Sequence, residues 1–356
     1  MKLKKKTVIV MGGGTGTYTV LTALKQFDQI NLKAIVAMTD DGGSSGVLRD
    51  ELGVLPPGDI RQSLVALSES SETIRKLMNY RFDQGNLRGH SFGNIFLSAL
   101  EKVTGSFEKS VAEVGRIIKT QGEIIPVTLD KVKLVMVLKN GASLIGERVI
   151  TPAEVIEAIG IKKFSIKPRP RFNPSAKRAI LNADTIILGP GNIYTSLIPL
   201  ALIPGLTASL KKTKAKIILI VDLMTKFGQT NGFNVFDFVN EIEKFFGQNI
   251  IDVVVFNTQS PADKILKRYF QKERSQPILI PVSIKQKKFF YQNKIFFGGR
   301  LLANGLRDQV KSDSLIKRNL IRHDQIKLAK FLEKIIWMKT KSQGQTAGTG
   351  QLKIIR

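Results

Sequence analysis

Residues 6–27, KTVIVMGGGTGTYTVLTALKQF, decide how the chain begins to fold. A short apolar run ends in glycines, and apolar residues then recur with the period of an amphipathic helix. A second apolar run, LKAIVAM, follows at residues 32–38. Strand, glycine turn, helix and strand in this order are typical of a doubly wound α/β fold. We therefore predict a Rossmann-like fold with a mostly parallel sheet.

The glycine turn of this stretch predicts an anion site. GGGTGT places Gly12, Gly13, Gly14 and Gly16 between strand and helix, where bare backbone and unpaired helix N–H groups can bind phosphate. The turn is not a strict dinucleotide fingerprint, because Thr17 stands at the third glycine position, and it is not a Walker loop. The alternative is a tight connection without a ligand.

A second turn of the same kind, GPGNIYTSL at residues 189–197, follows another apolar run. It adds the hydrogen-bonding side chains of Asn192, Tyr194, Thr195 and Ser196. Two such turns in one sheet predict a ligand with more than one anionic group, held across the carboxyl ends of the strands.

Three carboxylates are expected near these turns. Asp40 and Asp41 end the second strand, at the same sheet edge as the first glycine turn, and are followed by a predicted Gly-Gly-Ser-Ser-Gly loop at residues 42–46. A carboxylate in this position can accept hydrogen bonds from a ribose diol, and a pair beside phosphates can hold Mg²⁺. Asp59 follows a Pro-Pro-Gly turn and is interpreted either as a helix N-cap or as part of the site.

The segment GHSFGN contains His90, one of two histidines in the chain. Ser91 is predicted to cap the next helix, and Asn94 lies one turn into it. His90 is interpreted as a ligand contact, an acid/base group or a structural residue. The other histidine, His323, is expected at the surface.

The rest of the chain continues the α/β alternation with one interruption. Asn140-Gly141 between two strand-like runs predicts a β-hairpin, so we place an inserted lobe at residues 121–172. Residues 1–338 are predicted to form a single α/β nucleotide-binding domain, and the polar tail 339–356 to be disordered. The helices are expected at 59–67, 71–80, 91–103, 107–119 and 324–337, with another that starts at the cap Asn173 and Pro174.

Composition narrows the class of protein. The chain has 356 residues, 43% of them hydrophobic, and no cysteine, which excludes disulfides and thiolate chemistry. Without a signal-peptide pattern or an apolar run of about 18 residues, it is expected to be cytoplasmic and to have no transmembrane segment.

The net charge of +26 arises mostly in the C-terminal part. It could attract nucleic acid or anionic lipid, but a lysine-rich solvated surface is the favoured interpretation, so nucleic acid is an unlikely partner. The apolar segment SLIPLALIPGL, residues 196–206, is interpreted either as a buried helix or as the contact of a homo-oligomer.

Six motifs in order resemble one known family: GGGTGT, DDGGSSG, LPPGDIRQ, GHSFGN, LGPGNIYTSLIP and DLMTKFGQTNGF. The sequence resembles the gluconeogenesis factor family of the YvcK type, which is homologous to 2-phospho-L-lactate transferase of the CofD type. The resemblance implies a regulatory protein that binds a UDP-sugar or an NAD-type dinucleotide and supports cell shape and cell-wall synthesis. The alternative that it implies is a Mg²⁺-dependent transferase moving a phospholactyl-type group from a nucleoside diphosphate donor to a deazaflavin acceptor.

The resemblance also implies roles for individual residues. The ligand site would comprise Gly13, Gly14, Thr15, Gly16, Asp40, Asp41, Asp59, Arg61, His90, Ser91, Asn94, Gly191, Asn192, Tyr194 and Ser196. Asp41 and Asp59 would hold a metal, and in an enzyme Asp41, Asp59 and His90 would be catalytic. The sequence departs from the family wording at Asp222, Lys226, Gln229, Asn231 and Phe238, where the family commonly has Asn, Gln, Glu, Asp and His.

Overall fold

The computed structural model describes residues 5–147, 153–281, 287–303 and 321–338, and the backbone of residues 353–354. The strands are β1 (Lys6–Gly12), β2 (Ile30–Val36), β3 (Glu123–Pro126), β4 (Lys133–Leu138), β5 (Ser143–Ile145), β6 (Ile161–Lys167), β7 (Thr185–Leu188), β8 (Lys216–Ile220), β9 (Val253–Asn257), β10 (Lys288–Tyr291), β11 (Lys294–Gly299) and β12 (Lys353–Ile354).

The helices alternate with these strands. They are α1 (Gly14–Leu24), α2 (Gly43–Leu52), α3 (Gly58–Leu67), α4 (Glu72–Asn79), α5 (Phe92–Thr104), α6 (Phe107–Ile117), α7 (Ala153–Ile159), α8 (Pro174–Leu181), α9 (Ile198–Ala201), α10 (Leu206–Lys212), α11 (Val235–Phe246), α12 (Asp263–Glu273) and α13 (Gln325–Trp337). A π-helical turn, Ile193–Leu197, precedes α9.

The large sheet has the strand order β12-β10-β11-β9-β8-β7-β1-β2-β3. Seven neighbouring strands of this sheet run parallel: β11, β9, β8, β7, β1, β2 and β3. The strands β10 and β12 are antiparallel additions at one edge. The order reverses between β1 and β7, which is the point where doubly wound folds bind ligands. The predicted fold class is therefore confirmed.

The central strands are apolar along their whole length because both faces of the sheet are covered. Residues Val8 to Met11 of β1 are fully buried, as are Ile186 to Leu188 of β7. Near-continuous apolar runs are what a parallel sheet covered on both sides requires.

The inserted lobe is a separate antiparallel sheet, β5-β4-β6. The predicted hairpin is confirmed: the Ala142 N–H donates to Asn140 Oδ1 at 3.0 Å, and Gly141 has a φ of +90°. The predicted first boundary at 121 is wrong, because β3 pairs in parallel with β2 in the large sheet. The run EIIP is too short to reveal which sheet it joins.

The helix caps follow the sequence with two corrections. Ser91 and Asn173 cap α5 and α8 as predicted. Asp59 is not an N-cap, since α3 begins at Gly58 with Pro57 in the cap position, so Asp59 lies in the first turn. The Gly-Gly-Ser-Ser-Gly segment was expected to be a loop, but from Gly43 onward it is the first turn of α2. Contacts with distant parts of the chain hold these poor helix formers in place.

Three further sequence predictions concern His323, the apolar segment 196–206 and the tail 339–356. His323 is 5% exposed and not at the surface. In the segment 196–206, Ile198, Leu200 and Leu206 are fully buried, so this segment forms core helices, while its part in a homo-oligomer stays a prediction. The tail 339–356 lies outside the described residues except for Lys353–Ile354, which pairs with β10.

No single helix within the described part of the chain has both the length and the hydropathy of a membrane span. The segments Ile193–Ala201 and Leu206–Lys212, bent by 75°, reach that threshold only as a pair.

Candidate functional site

The two glycine turns lie against each other at the switch point between β1 and β7. A β-carbon on Gly16 would overlap the carbonyl oxygen of Pro190, so the helix α1 can approach the second turn this closely only with glycine there. Thr17 is fully buried beside Gly12 and Gly189. Gly16 therefore performs the close-packing role that Thr17, at the third glycine position, cannot.

The first turn presents its backbone to a carboxylate of the chain. A β-carbon on Gly13 would overlap the carboxylate of Asp59, and the Gly14 N–H donates to that carboxylate. Thr15 is exposed at the start of α1, where its carbonyl accepts from the Thr19 hydroxyl at 3.0 Å. The N-terminus of α1 thus already has an acceptor within the protein on one of its N–H groups.

Asp40 lies next to Asp59. Its Oδ1 accepts the Gly42 N–H at 2.9 Å, and its side chain packs so closely on Gly58 that a β-carbon there would overlap it. Burial raises the pKa of Asp40, and the charge of Asp41 adds to this effect, while a hydrogen bond from Ser45 opposes it. Burial together with the charge of Asp40 raises the pKa of Asp59 to about 7. The two carboxylates therefore repel each other in one partly buried space.

The partners of Asp41 lie in the inserted lobe and in α2. Its carboxylate lies against Gly146 of the inserted lobe, where any β-carbon would overlap it, and 4.0 Å from Arg49 Nη1. Both charged side chains are largely buried, at 9% and 6% exposure. The structure thus couples Asp59 with Asp40, whereas sequence reasoning had coupled it with Asp41.

The motifs DDGGSSG and GHSFGN are joined by hydrogen bonds. Ser44 Oγ lies 3.2 Å from His90 Nδ1, and the Ser91 N–H donates to the same hydroxyl at 3.4 Å. The Asn94 amide donates to Ser45 Oγ at 3.5 Å. These contacts hold the glycine- and serine-rich start of α2 in helical form.

Arg61 is 2% exposed and links three helices. Its Nε donates to Asn94 Oδ1 at 2.9 Å, and its Nη1 donates to Asn79 Oδ1 and to the carbonyl of Met78. The guanidinium therefore anchors α3 to α4 and α5, and its charge lowers the pKa of Asp59 from within the protein.

The second glycine turn leads into the π-helical turn rather than into a long helix. Asn192 caps that turn by accepting the Tyr194 N–H at 3.1 Å, and Ser196 packs on Gly191. The Tyr194 hydroxyl donates to Glu241 at 2.9 Å and its ring stacks on Phe164, so Tyr194 connects α11 to the inserted lobe. The structure does not bring this hydroxyl to the glycine turns.

Sequence reasoning did not place two acidic residues, Asp222 and Glu147, in the site. Asp222 follows β8, and its carboxylate accepts the N–H groups of Leu223 and Gly191; burial raises its pKa to about 7. Glu147 follows the hairpin strand β5 in the inserted lobe and is hydrogen-bonded to Thr195. Burial raises the pKa of Glu147 well above its usual value, and the charges of Asp40 and Asp59 raise it further. The position of Asp222 after a parallel strand was a usable signal, whereas nothing local in the sequence around Glu147 points to the crevice.

A family model for 2-phospho-L-lactate transferase CofD matches residues 8–289. A Thermotoga maritima protein described as a putative gluconeogenesis factor is 38% identical over 92% of this chain and 98% of its own length. The gluconeogenesis factor of Bacillus subtilis is 34% identical over 92% of this chain and 98% of its own length.

The chain belongs to the gluconeogenesis factor family. The fold agrees: the crystal structure of a UPF0052 family member from Bacillus halodurans superposes with a TM-score of 0.81 at 30% identity, over 93% of this chain and 99% of that one. The family resemblance stated from six motifs is confirmed.

Two of the positions at which the chain departs from the family wording have structural roles. Phe238 is 1% exposed in the core, so no polar role exists there. Asn231 donates to Glu157 at 2.8 Å and accepts from the Gly228 N–H at 2.7 Å, which shapes the loop after β8.

In this member of the gluconeogenesis factor family, a bound metal would take part of its coordination shell from a bound nucleotide. Within the described ranges, no three His, Asp or Glu side chains converge as a ready metal site. Mg²⁺ in nucleotide sites takes one or two carboxylates and completes its shell with phosphate oxygens and water. The neighbouring carboxylates of Asp40 and Asp59 would fit that donor set, and the assignment of Asp41 and Asp59 as metal ligands stays a prediction.

Proposed function

We propose that this protein binds a UDP-sugar or an NAD-type dinucleotide in the crevice at the switch point and acts as a regulatory protein. The observation that carries the proposal is the contact of the two glycine turns between β1 and β7, made possible by Gly16 against Pro190. This is the position where doubly wound sheets bind the diphosphate of a nucleotide, with the N–H groups of the following helix as donors.

The regulatory role rests on the kinship with gluconeogenesis factors and on the site. His90 is hydrogen-bonded to Ser44, and Arg61 binds Asn94 and Asn79. These bonds tie both groups to the scaffold, which suits holding a ligand more than transferring a group from it. In this role, occupancy by the nucleotide would link carbon metabolism to cell-wall synthesis and cell shape in the cytoplasm, with cell-wall synthesis proteins as partners and a homo-oligomer as the acting form.

A second candidate is a CofD-type transferase. Two observations favour it: the match to the 2-phospho-L-lactate transferase model, and the facing carboxylates of Asp40 and Asp59. Bound Mg²⁺ would neutralise the charge that develops on a diphosphate leaving group. Asp40 and Asp59 would hold that ion, and Asp41 would orient the loop through Arg49.

Thermal-shift measurements distinguish the candidates. The panel contains UDP-N-acetylglucosamine, UDP-glucose, NAD, GDP and Mg²⁺, each tested on the full chain. Stabilisation by a UDP-sugar or NAD without turnover supports the regulatory role. The shift should shrink in Asp41→Asn, because this change weakens the link between α2, Arg49 and the lobe, and should persist in Glu154→Gln, which alters an exposed carboxylate on α7.

Other outcomes contradict the proposal. Mg²⁺-dependent release of a nucleoside monophosphate in the presence of a deazaflavin acceptor would establish the transferase instead. If no nucleotide shifts the melting temperature and the protein binds DNA in a salt-sensitive way, the basic surface carries the function.

A further inference from the structure

A groove lies between α12 and the loop that follows β8. It consists of two adjoining depressions of about 410 and 290 Å³, which meet at Phe270 of the helix. Its lining includes two aromatic rings, two amide side chains and two cations, those of Phe227, Phe270, Asn231, Gln271, Lys267 and Arg274. None of its lining residues belongs to the two glycine turns, so the groove is a second concave surface of the molecule.

The two sides of the groove are joined by backbone hydrogen bonds. The Thr225 N–H donates to the Gln276 carbonyl at 2.7 Å, and the Gln276 N–H donates to the Thr225 hydroxyl at 2.9 Å. The Ile278 N–H donates to the Leu223 carbonyl at 3.0 Å. The chain after α12 is thus fastened to the loop after β8, and a groove that is already formed costs a partner little ordering.

Phe270 presents an apolar surface inside this groove. Its side chain is 55% exposed, and among the residues of α12 only Tyr269 is buried. An exposed aromatic ring in a concave surface is a typical anchor point of a protein interface, because a partner side chain can pack on it and exclude water.

Two cations flank Phe270 on the same face of α12. Lys267 lies three residues before it and Arg274 four residues after it, and both are exposed. None of the ion pairs between described residues involves either cation. The Arg274 guanidinium lies 4.7 Å over the Phe227 ring, and a guanidinium held on a ring keeps its edge N–H groups available for a carboxylate.

The charge of α12 and its C-cap selects an acidic partner. Five cations, Lys264, Lys267, Arg268, Lys272 and Arg274, stand against the two carboxylates of Asp263 and Glu273. A second copy of the chain in a two-fold contact would bring these cations together. The chain segments 148–152, 282–286, 304–320 and 339–356 each contain more basic than acidic residues, so none of them complements the groove.

The spacing of the groups fits an extended peptide. Positions 267 and 274 are about 10 Å apart along a helix. In an extended chain, residues one, three and five share one face, and the first and fifth lie about 13 Å apart, a span that long Lys and Arg side chains can match. Gln271 and Gln276 can pair with the main-chain N–H and carbonyl groups of such a segment.

We propose that this groove docks an extended acidic segment of a partner protein. In that segment an apolar side chain packs on Phe270, and carboxylates two residues before and after it bind Lys267 and Arg274. The proposal goes beyond nucleotide binding in the crevice and does not depend on it.

The test is fluorescence anisotropy of the full chain with the dye-labelled peptide Gly-Asp-Ser-Phe-Ser-Asp-Gly at low ionic strength. Two control peptides carry Asn in place of both Asp residues, or Ala in place of Phe. We expect each control peptide to bind about tenfold more weakly than the probe, because one lacks the charges and the other lacks the anchor.

Variants of α12 locate the binding surface. Lys267→Glu should weaken the probe peptide about tenfold, and Phe270→Ala about fivefold. The matched control is Lys272→Glu, an equal charge change at an exposed position of the same helix outside the groove lining, which should change the affinity less than about twofold. A peptide with one Asp replaced by Lys should bind Lys267→Glu more tightly than it binds the wild type. Circular dichroism checks that each variant is folded.

Several results would overturn the proposal. One is a wild-type chain that does not bind the probe peptide at concentrations up to about 1 mM, the weak end of specific affinities. Another is equal weakening by Lys272→Glu and Lys267→Glu, or equal affinity for the Asp and Asn peptides, since either would mean that the groove does not select the charges. Single-stranded DNA that displaces the peptide, binds more tightly and loses affinity in Lys267→Glu would assign the groove to nucleic acid instead.

Discussion

At the scale of single residues, the site is built from carboxylates placed against bare backbone. Asp59 lies on Gly13 and Gly14, and Asp40 lies on Gly58. A side chain at Gly13 or Gly58 would occupy the space of a carboxylate. The glycines in the motifs are therefore needed for contact with acidic side chains as well as for the turns themselves.

The raised pKa of Asp59 predicts how stability depends on pH. With an ordinary value of 3.8 in the unfolded chain and about 7 in the folded one, the folded state holds the proton more tightly, so stability falls as pH rises from about 4 through 7. Asp59→Asn removes the charge that causes this loss. We expect its melting temperature relative to wild type to be higher at pH 8 than at pH 5, measured by differential scanning calorimetry.

The control for this effect is Asp28→Asn, which alters an exposed carboxylate after α1. It should shift the melting temperature equally at both pH values. The opposite result would be a melting temperature of Asp59→Asn, relative to wild type, that is lower at pH 8 than at pH 5. It would show that the α1 N-terminus stabilises the charged form of Asp59 more than burial destabilises it.

The contact between the two glycine turns predicts the effect of a single methyl group. In Gly16→Ala the β-carbon meets the Pro190 carbonyl, a backbone atom that cannot rotate away. We expect a loss of about 1–3 kcal/mol in the free energy of unfolding, measured by urea titration, and a loss of nucleotide binding because the crevice is forced apart.

The matched variant is Gly115→Ala in α6. There the β-carbon lies 3.0 Å from the Thr120 hydroxyl, which can move, and alanine favours the helix. Its stability should stay within about 1 kcal/mol of wild type. Equal losses in the two variants would mean that the approach of α1 to the second turn is not a tight contact.

At the scale of elements, β11 and α11 are held together by a buried ion pair. Lys294 Nζ lies 3.1 Å from Glu243 Oε2, and the two side chains are 2% and 3% exposed. Lys294 also donates to the carbonyl of Gln292 at 3.0 Å, and Glu243 accepts the Ile251 N–H at 3.5 Å. Each charged group thus has its ion-pair partner and a further hydrogen bond with the backbone, as a buried ion pair requires.

Breaking this pair from one side should be costly. Lys294→Met leaves the Glu243 carboxylate buried without its cation, and we expect a loss of about 3–5 kcal/mol in the free energy of unfolding. The double variant Lys294→Met/Glu243→Gln should recover part of it, because glutamine keeps an acceptor for Ile251 without a charge. Denaturant titration of the wild type, both single variants and the double variant measures the coupling.

An exposed pair provides the comparison. Lys76 and Glu72 of α4 lie 2.8 Å apart with side chains 64% and 53% exposed. Lys76→Met should cost under about 1 kcal/mol. If Lys294→Met costs no more than this, solvent reaches the pair and the tightly buried geometry is refuted.

At the scale of the whole molecule, the helix α13 is fastened to the beginning of the chain. The Lys6 ammonium donates to the Ile336 carbonyl at 3.0 Å and lies 4.5 Å over the Trp337 ring. Lys216 donates to the carbonyls of Ile335 and Met338. Two lysines at the starts of β1 and β8 therefore satisfy the C-terminal carbonyls of α13 and complement its dipole.

Removing one of these cations should loosen α13 before the sheet. Lys216→Met removes the side-chain donor from the carbonyls of Ile335 and Met338, and we expect about 1–3 kcal/mol of destabilisation. Hydrogen exchange followed by mass spectrometry should show that, relative to wild type, the variant accelerates exchange in α13 more than in β1 and β7. Lys334→Met, an exposed change on the same helix, should leave α13 protected, and uniform acceleration across the sheet in Lys216→Met would contradict the expectation.

Much of the architecture could be predicted from local patterns. The apolar runs of β1, β7, β8 and β9, the glycine turns and the helix caps at Ser91 and Asn173 all depend on near neighbours in the chain. The errors arose where distant segments decide the structure. EIIP joins the large sheet because β2 offers an edge, and the start of α2 is helical because Ser44 and Ser45 bind the region of His90 and Asn94.

The sequence by itself determined the fold class, the family and the presence of two glycine turns with carboxylates near them, since periodicity, turn chemistry and motif order are properties of short segments. The tertiary structure alone decided which carboxylates face each other, that Asp222 and Glu147 join the second turn, and that His323 is buried. These outcomes depend on how separate elements pack, because a side chain's charge environment is set by burial and by neighbours far away in the sequence.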